Sequence, residues 1–277
     1  MADLRPMGVG EVLDGALTIY RRHFITFLAL GIIALWLPVA LSIYVQLSGP
    51  QQHIGLALVS GLLQYFAGLL LTAGVIRVIS DFYLGRASSV GEALALGLQK
   101  VWPLFLVGLG KVILLGLIVI LLGAVAAISI PVLAKGGGAL GGMVGLALLV
   151  AVGWFAVYVS CGYGVTTQVV VLEPLRSSFD AFGRSWDLTR ARKLKVLALG
   201  FIAFVLVGVP SAGIGLLAGA LRFSSTTWSA FLLVVAAILP VILTPVLPCV
   251  FTLMYYDLRV RREAFDLELL SQQLNAG

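Results

Sequence analysis

The chain is 277 residues long, 61% hydrophobic and only 11% charged, with a mean hydropathy of +1.11. A soluble domain carries about 25% charged residues, so this composition excludes a water-soluble globular protein. The net charge of +6 sits between apolar runs, which is the pattern of membrane topology and not of a nucleic-acid-binding stripe, and no nucleic-acid partner is expected.

Read in order, residues 9–22 predict an amphipathic helix. Val9, Val12, Leu13, Ala16, Leu17 and Tyr20 recur at helical spacing on one face, with Glu11, Asp14, Thr18 and Arg21 on the other. The Arg21-Arg22-His23 cluster then marks a membrane boundary. A first span is expected over Phe24–Leu47 with Pro38 inside it, and a second over Ile54–Ser80, ending in Arg77, Asp81, Tyr83 and Arg86. Each exceeds the roughly 20 residues that cross a bilayer. The acidic residues Asp3, Glu11 and Asp14 ahead of so long a run argue against a cleavable signal peptide.

Residues 90–101 predict a second amphipathic segment, separate from a third span over Pro103–Pro131. A fourth span, Ala139–Leu172, ends at Glu173-Pro174. Residues 175–190 give a third amphipathic segment, with Phe179, Phe182 and Trp186 opposite Arg176, Asp180, Arg184 and Asp187. Spans five (Lys195–Leu221) and six (Trp228–Tyr256) follow, then a polar-faced tail helix over 257–274.

These elements form one integral membrane domain, 1–277, read as an all-α bundle of six transmembrane helices in three repeats. Each unit is an amphipathic helix, a helical hairpin and a charged exit, at about 9–86, 87–174 and 175–262. Val9-Gly10-Glu11 matches Val90-Gly91-Glu92, and Asp81, Glu173 and Asp257 occupy equivalent exits. Apart from Lys111, Lys135 and Arg222, the 18 Lys and Arg fall on one side of this topology. The positive-inside bias makes that side, and both termini, cytoplasmic.

No segment between spans is long enough for a soluble catalytic domain, and no catalytic motif of the nucleophile-elbow, zincin or kinase type occurs. The Ala134–Gly138 turn lacks the order of a phosphate loop. Cys161 and Cys249 lie in apolar runs without ligand spacing, and His23 and His53 are expected at opposite membrane faces. Neither catalytic residues, metal nor cofactor is therefore expected. The residues singled out for contact with anionic phospholipid or a protein partner are Arg184, Arg190, Arg192, Lys193, Asp257, Arg259, Arg261 and Arg262. Lys111, with Gln64 and Gln168, marks an intramembrane polar site, and Pro240, Pro245 and Pro248 mark a kink in span six. Small residues at four-residue spacing, such as Gly138/Gly142 and Ser211/Gly215/Gly219, permit close helix approach and self-association.

Three stretches carry a family resemblance: GEVLDGALTIYRRHF (Gly10–Phe24), SSFDAFGRSWDLTRARKLKVL (Ser177–Leu197) and TLMYYDLRVRREAFDLELL (Thr252–Leu270). Together they resemble the membrane-domain family of glycerophosphoryl diester phosphodiesterases. In that family a membrane region precedes a soluble phosphodiesterase domain with a metal site built on His and Glu, a domain for which this sequence has no counterpart. The resemblance implies a bacterial inner-membrane protein working near phospholipid headgroups, and it assigns no catalytic residue here. The expected function is a non-catalytic scaffold or accessory subunit. The alternative is a permease for a small or lipidic substrate, built on span six and Lys111.

Overall fold

Inside a bilayer every backbone amide must find its partner within the protein, which leaves a chain this apolar with helices. The computed structural model describes residues 6–48, 53–83, 85–86, 89–134, 138–221 and 226–263, and these residues are almost entirely helical. The helices are α1 (Val9–Arg22), α2 (Phe24–Ser48), α3 (Ile54–Tyr83), α4 (Val90–Ala134) and α5 (Gly138–Gly162), followed by α6 (Thr166–Leu172), α7 (Asp180–Thr189), α8 (Lys193–Leu221), α9 (Thr226–Leu243) and α10 (Val246–Glu263). Short breaks separate α5 from α6 and α9 from α10, so these pairs count as one span each. Six spans result, each long and apolar enough to cross a membrane.

Helix α1 forms as its spacing requires. Val12, Ala16 and Ile19 are buried on one face, Glu11 stands in the first turn and Arg21 and Arg22 in the last, each favourable with the helix dipole. The Glu11 carboxylate accepts the Gly8 N–H at 2.6 Å, half of a capping box, since Gly8 has no side chain to complete it. The second amphipathic segment departs from expectation: residues 90–101 run on without interruption into the span, giving the 45-residue α4. Pro103 does not stop it. Losing one backbone bond costs less than ending one helix and nucleating another.

Consecutive spans pack in pairs, α2 with α3, α4 with α5, and α8 with α9. The three amphipathic segments each lie on the second span of a neighbouring pair. The start of α4 packs on α3, where Gly97 lets it approach so closely that a Cβ would stand 2.9 Å from the Leu70 carbonyl oxygen. Helix α7 packs on α5 and α6, and α1 on α10. The last contact joins the two ends of the chain and closes the arrangement into a ring. At the charged end α3, α6 and α10 touch one another at the centre. Helix α10 is buried nearly all round, from Val246 through Val260, as suits the middle of a bundle. The expected tail beyond Glu263, residues 264–274, lies outside the described residues.

Candidate functional site

The charged ends of α3, α6 and α10 carry the three exit acids, and each is held differently. Asp257, on α10, is fully buried. Its Oδ2 accepts the Lys195 ammonium at 2.5 Å, its Oδ1 accepts the Met7 N–H at 2.6 Å, and Arg261 donates to both oxygens at 3.0 and 3.2 Å. Lys195 and Arg261 also donate to the Met7 carbonyl, at 2.6 and 2.8 Å. A buried carboxylate is tolerated when it is paired and hydrogen-bonded in this way.

Glu173, just past α6, accepts the Arg184 Nε at 2.8 Å and the Tyr255 hydroxyl at 2.8 Å. Arg184 bridges onward to Glu263, which Arg259 also meets at 3.0 Å. The hydrogen bond to Glu263, reinforced by Glu173, pushes the Arg184 guanidinium above even its usual high range. Asp81, at the end of α3, is buried and lies 2.8 Å from Arg77 Nε. That contact is close but poorly aligned, so both Asp81 oxygens lack a good hydrogen bond.

Beside these acids is a cavity of about 200 Å³. Arg77, Arg86 and Arg259 line it, with Ser80, Tyr255 and Tyr256 completing its polar wall and Leu96, Val171 and Leu172 an apolar one. The Ser80 and Tyr256 hydroxyls share a hydrogen bond of 2.7 Å, and Tyr256 stacks on Tyr83 with ring centroids 5.3 Å apart. Arg86 reaches the cavity because the chain reverses at Gly85, whose φ of 69° is left-handed. The Arg86 N–H bonds the Asp81 carbonyl at 2.7 Å and the Gly85 N–H that of Phe82 at 3.1 Å, the hydrogen-bond pattern of a Schellman turn.

The residues expected at the lipid-facing rim fall into two groups. Asp257, Arg184, Arg259 and Arg261 are engaged in the internal pairs above, and Arg262 donates to the Asp187 carbonyl. Arg190 and Arg192 are exposed and make no ion pair among the described residues. Next to them the Lys193 ammonium stands 3.1 Å from the Tyr158 ring centroid and 3.5 Å from that of Trp186, a cation held over two aromatic faces.

Lys111 and Gln168 do not line the cavity that Gln64 lines. Lys111, on α4, points its ammonium at the Thr167 hydroxyl 3.5 Å away, one residue before the buried Gln168, whose Oε1 has no partner. Gln64 instead lines a separate space of about 160 Å³ with Ser42, Gln46 and Pro240. Of the three prolines of span six, Pro240 lies inside α9, Pro245 in the break and Pro248 in the first turn of α10. The Tyr20 hydroxyl of α1 donates to the Ile242 carbonyl beside that break at 2.8 Å. Burial, with a smaller contribution from Cys249, pushes the Tyr20 hydroxyl above its ordinary value of 10.0, so it stays protonated and able to donate.

The break in span four is not expected from the sequence, although Gly162 ends α5 and Gly164 lies within the break. Its free Gly162 carbonyl accepts the Ser185 and Thr189 hydroxyls of α7 at 2.9 and 3.1 Å. The Trp186 ring covers Gly162 so closely that a Cβ there would overlap it. Reasoning from sequence also missed Arg77, Arg86, Glu173 and Tyr255 as site residues. Only Arg77 had a local signal, its i,i+4 spacing to Asp81. Among the described residues no three of His, Cys, Asp and Glu come together as metal ligands do.

No family model matches this chain, and neither a curated protein nor a solved structure is similar to it. The resemblance to the phosphodiesterase membrane domains therefore rests on the quoted residues alone. What the fold defines is a multi-pass integral membrane protein with six helical spans.

Proposed function

We propose that this membrane protein is a non-catalytic scaffold or accessory subunit whose charged face, on the cytoplasmic side of a bacterial inner membrane, holds anionic phospholipid headgroups. The observation that carries the reading is the division of labour among its cations. Arg77, Arg184, Arg259 and Arg261 are committed to internal acids, whereas Arg190 and Arg192 are exposed with no ion pair among the described residues. Exposed aromatics at the same end, Trp102 and Phe179, are of the kind that settle at headgroup depth. Near an anionic leaflet each such basic residue contributes about 1 kcal/mol.

A threefold organisation is part of this reading. It is supported by the placement of each amphipathic segment on the second span of a neighbouring pair. The permease alternative needs a path joining Lys111 to the break between α9 and α10. The cavity that reaches Pro240 is lined by Gln64 but by neither Lys111 nor Gln168, which favours the scaffold reading.

Native mass spectrometry from mild detergent tests the proposal. The wild-type protein should retain phosphatidylglycerol over phosphatidylcholine, and charge reversal at Arg190, Arg192 and Lys193 together should abolish that preference. Equal retention of the two lipids by the wild type would refute it.

A further inference from the structure

The cavity enclosed by Arg77, Arg86 and Arg259 is a different place from the outward-facing rim, and its chemistry is more specific. Near this cavity the guanidinium groups of Arg77, Arg86, Arg184 and Arg259 meet the carboxylates of Asp81, Glu173 and Glu263, with Glu92 also acting on Asp81. Arg77 is paired with Asp81, and Arg259 and Arg184 share Glu263. Arg86 makes no ion pair among the described residues, and neither Asp81 nor Glu263 lines the cavity. The space is thus bounded by three arginines, with no acid among the described residues that line it. Guanidinium donors are planar forks that match the oxygens of a phosphate group. Ser80, Tyr255 and Tyr256 also line the space, and Leu96, Val171 and Leu172 supply apolar lining of the sort that lies against the glycerol or acyl portion of a lipid.

We infer that this cavity binds one phosphate-bearing anion, gripped by Arg77, Arg86 and Arg259 between the ends of α3, α6 and α10. Such a ligand bridges the chain's first and last thirds, because Arg77 and Arg86 come from the end of α3 and Arg259 from α10. The site stands apart from the Arg190 and Arg192 rim, so either one can fail without the other.

The test uses the full chain in mild detergent and in nanodiscs. Binding is measured for inorganic phosphate in solution, and for phosphatidic acid against phosphatidylcholine in the nanodisc. Arg86→Ala is the informative variant, since Arg86 makes no direct ion pair among the described residues, whereas truncating Arg77 would strand buried Asp81. Loss of one charge-assisted hydrogen-bonding group should weaken binding about tenfold or more. Arg86→Lys should recover part of the loss, and the Arg190→Glu, Arg192→Glu double variant should leave this site unchanged. A second measurement needs no substitution: the bound anion should protect Arg86 of the wild-type protein from a dicarbonyl reagent that modifies arginine. Competition by inorganic phosphate identifies a soluble anion as sufficient, and binding of phosphatidic acid alone identifies a lipid headgroup. Either result supports the site. Binding of neither probe, no protection of Arg86, or undiminished affinity in Arg86→Ala overturns it.

Discussion

At the charged end of the bundle, α10 buries Tyr255, Tyr256, Asp257 and Leu258 in succession, and α3 buries nearly every residue from Ala73 to Asp81. Toward the opposite end the same kinds of helix are open. On α4, Val119 and Ile120 are 65% and 69% exposed, and on α8 Leu216 is 74% exposed. The two ends are held by different forces. Apolar side chains facing lipid gain little by turning inward, because acyl chains are as apolar as leucine. At the charged end the amphipathic faces of α1 and α7 would otherwise meet water or the headgroup layer, so their burial gains up to the full transfer free energy. Carboxylates and freed carbonyls there also find donors across helices. The core therefore sits where water begins and thins where lipid takes over.

Breaking the charged end should cost most at Asp257. Asp257→Ala strands Lys195, Arg261 and the Met7 N–H, and should lower stability by about 3–5 kcal/mol, as removal of one partner of a buried ion pair does. Thermal unfolding in detergent would check it. Next is Gly162→Ala, which drives a methyl into the Trp186 ring and should cost about 1–3 kcal/mol of overpacking. A shift in Trp186 fluorescence should accompany the loss. Tyr20→Phe removes the donor to the Ile242 carbonyl and should cost about 1–3 kcal/mol, without changing lipid retention at the rim. On the other side of the comparison, Leu216→Ala should change stability by less than about 0.5 kcal/mol. A loss there as large as that of Asp257→Ala would show that the lipid-facing half is packed after all.

The smallest effect concerns pH. Burial, and secondarily the neighbouring Arg22, hold the His23 imidazole below its ordinary value of 6.5. The unfolded chain then binds a proton more readily than the folded one. The contribution of this group is fully present above pH 6.5 and declines as pH falls toward the lowered value. His23→Gln should flatten that part of the stability profile as pH falls below 6.5.

Much of the architecture is legible in the sequence because membrane helices announce themselves by length and hydropathy. The spans, the amphipathic faces of α1 and α7, and the trouble at Pro240–Pro248 all follow from local pattern. The fusion of residues 90–101 into α4 does not, since a proline after a tryptophan reads as a boundary and tertiary packing on α3 overrides it. The site is less legible for the same reason. Arg261 and Arg262 read alike as surface cations, yet Arg261 serves Asp257 while Arg262 caps the Asp187 carbonyl. Arg86 looks like one more topology signal, and only the left-handed turn at Gly85 brings it back to Arg259. Spacing along one helix can be read from a sequence. Convergence of three helix ends cannot.

The bond from Met7 to Asp257 joins residues 250 positions apart. Helix α1 is synthesised well before α10, the surface it rests on. Until then its apolar face of Val12, Ala16 and Ile19 has no permanent seat in the protein, and the membrane surface is the natural place for it to wait. Synthesis must therefore pass Asp257 before the Met7 segment can be locked in place.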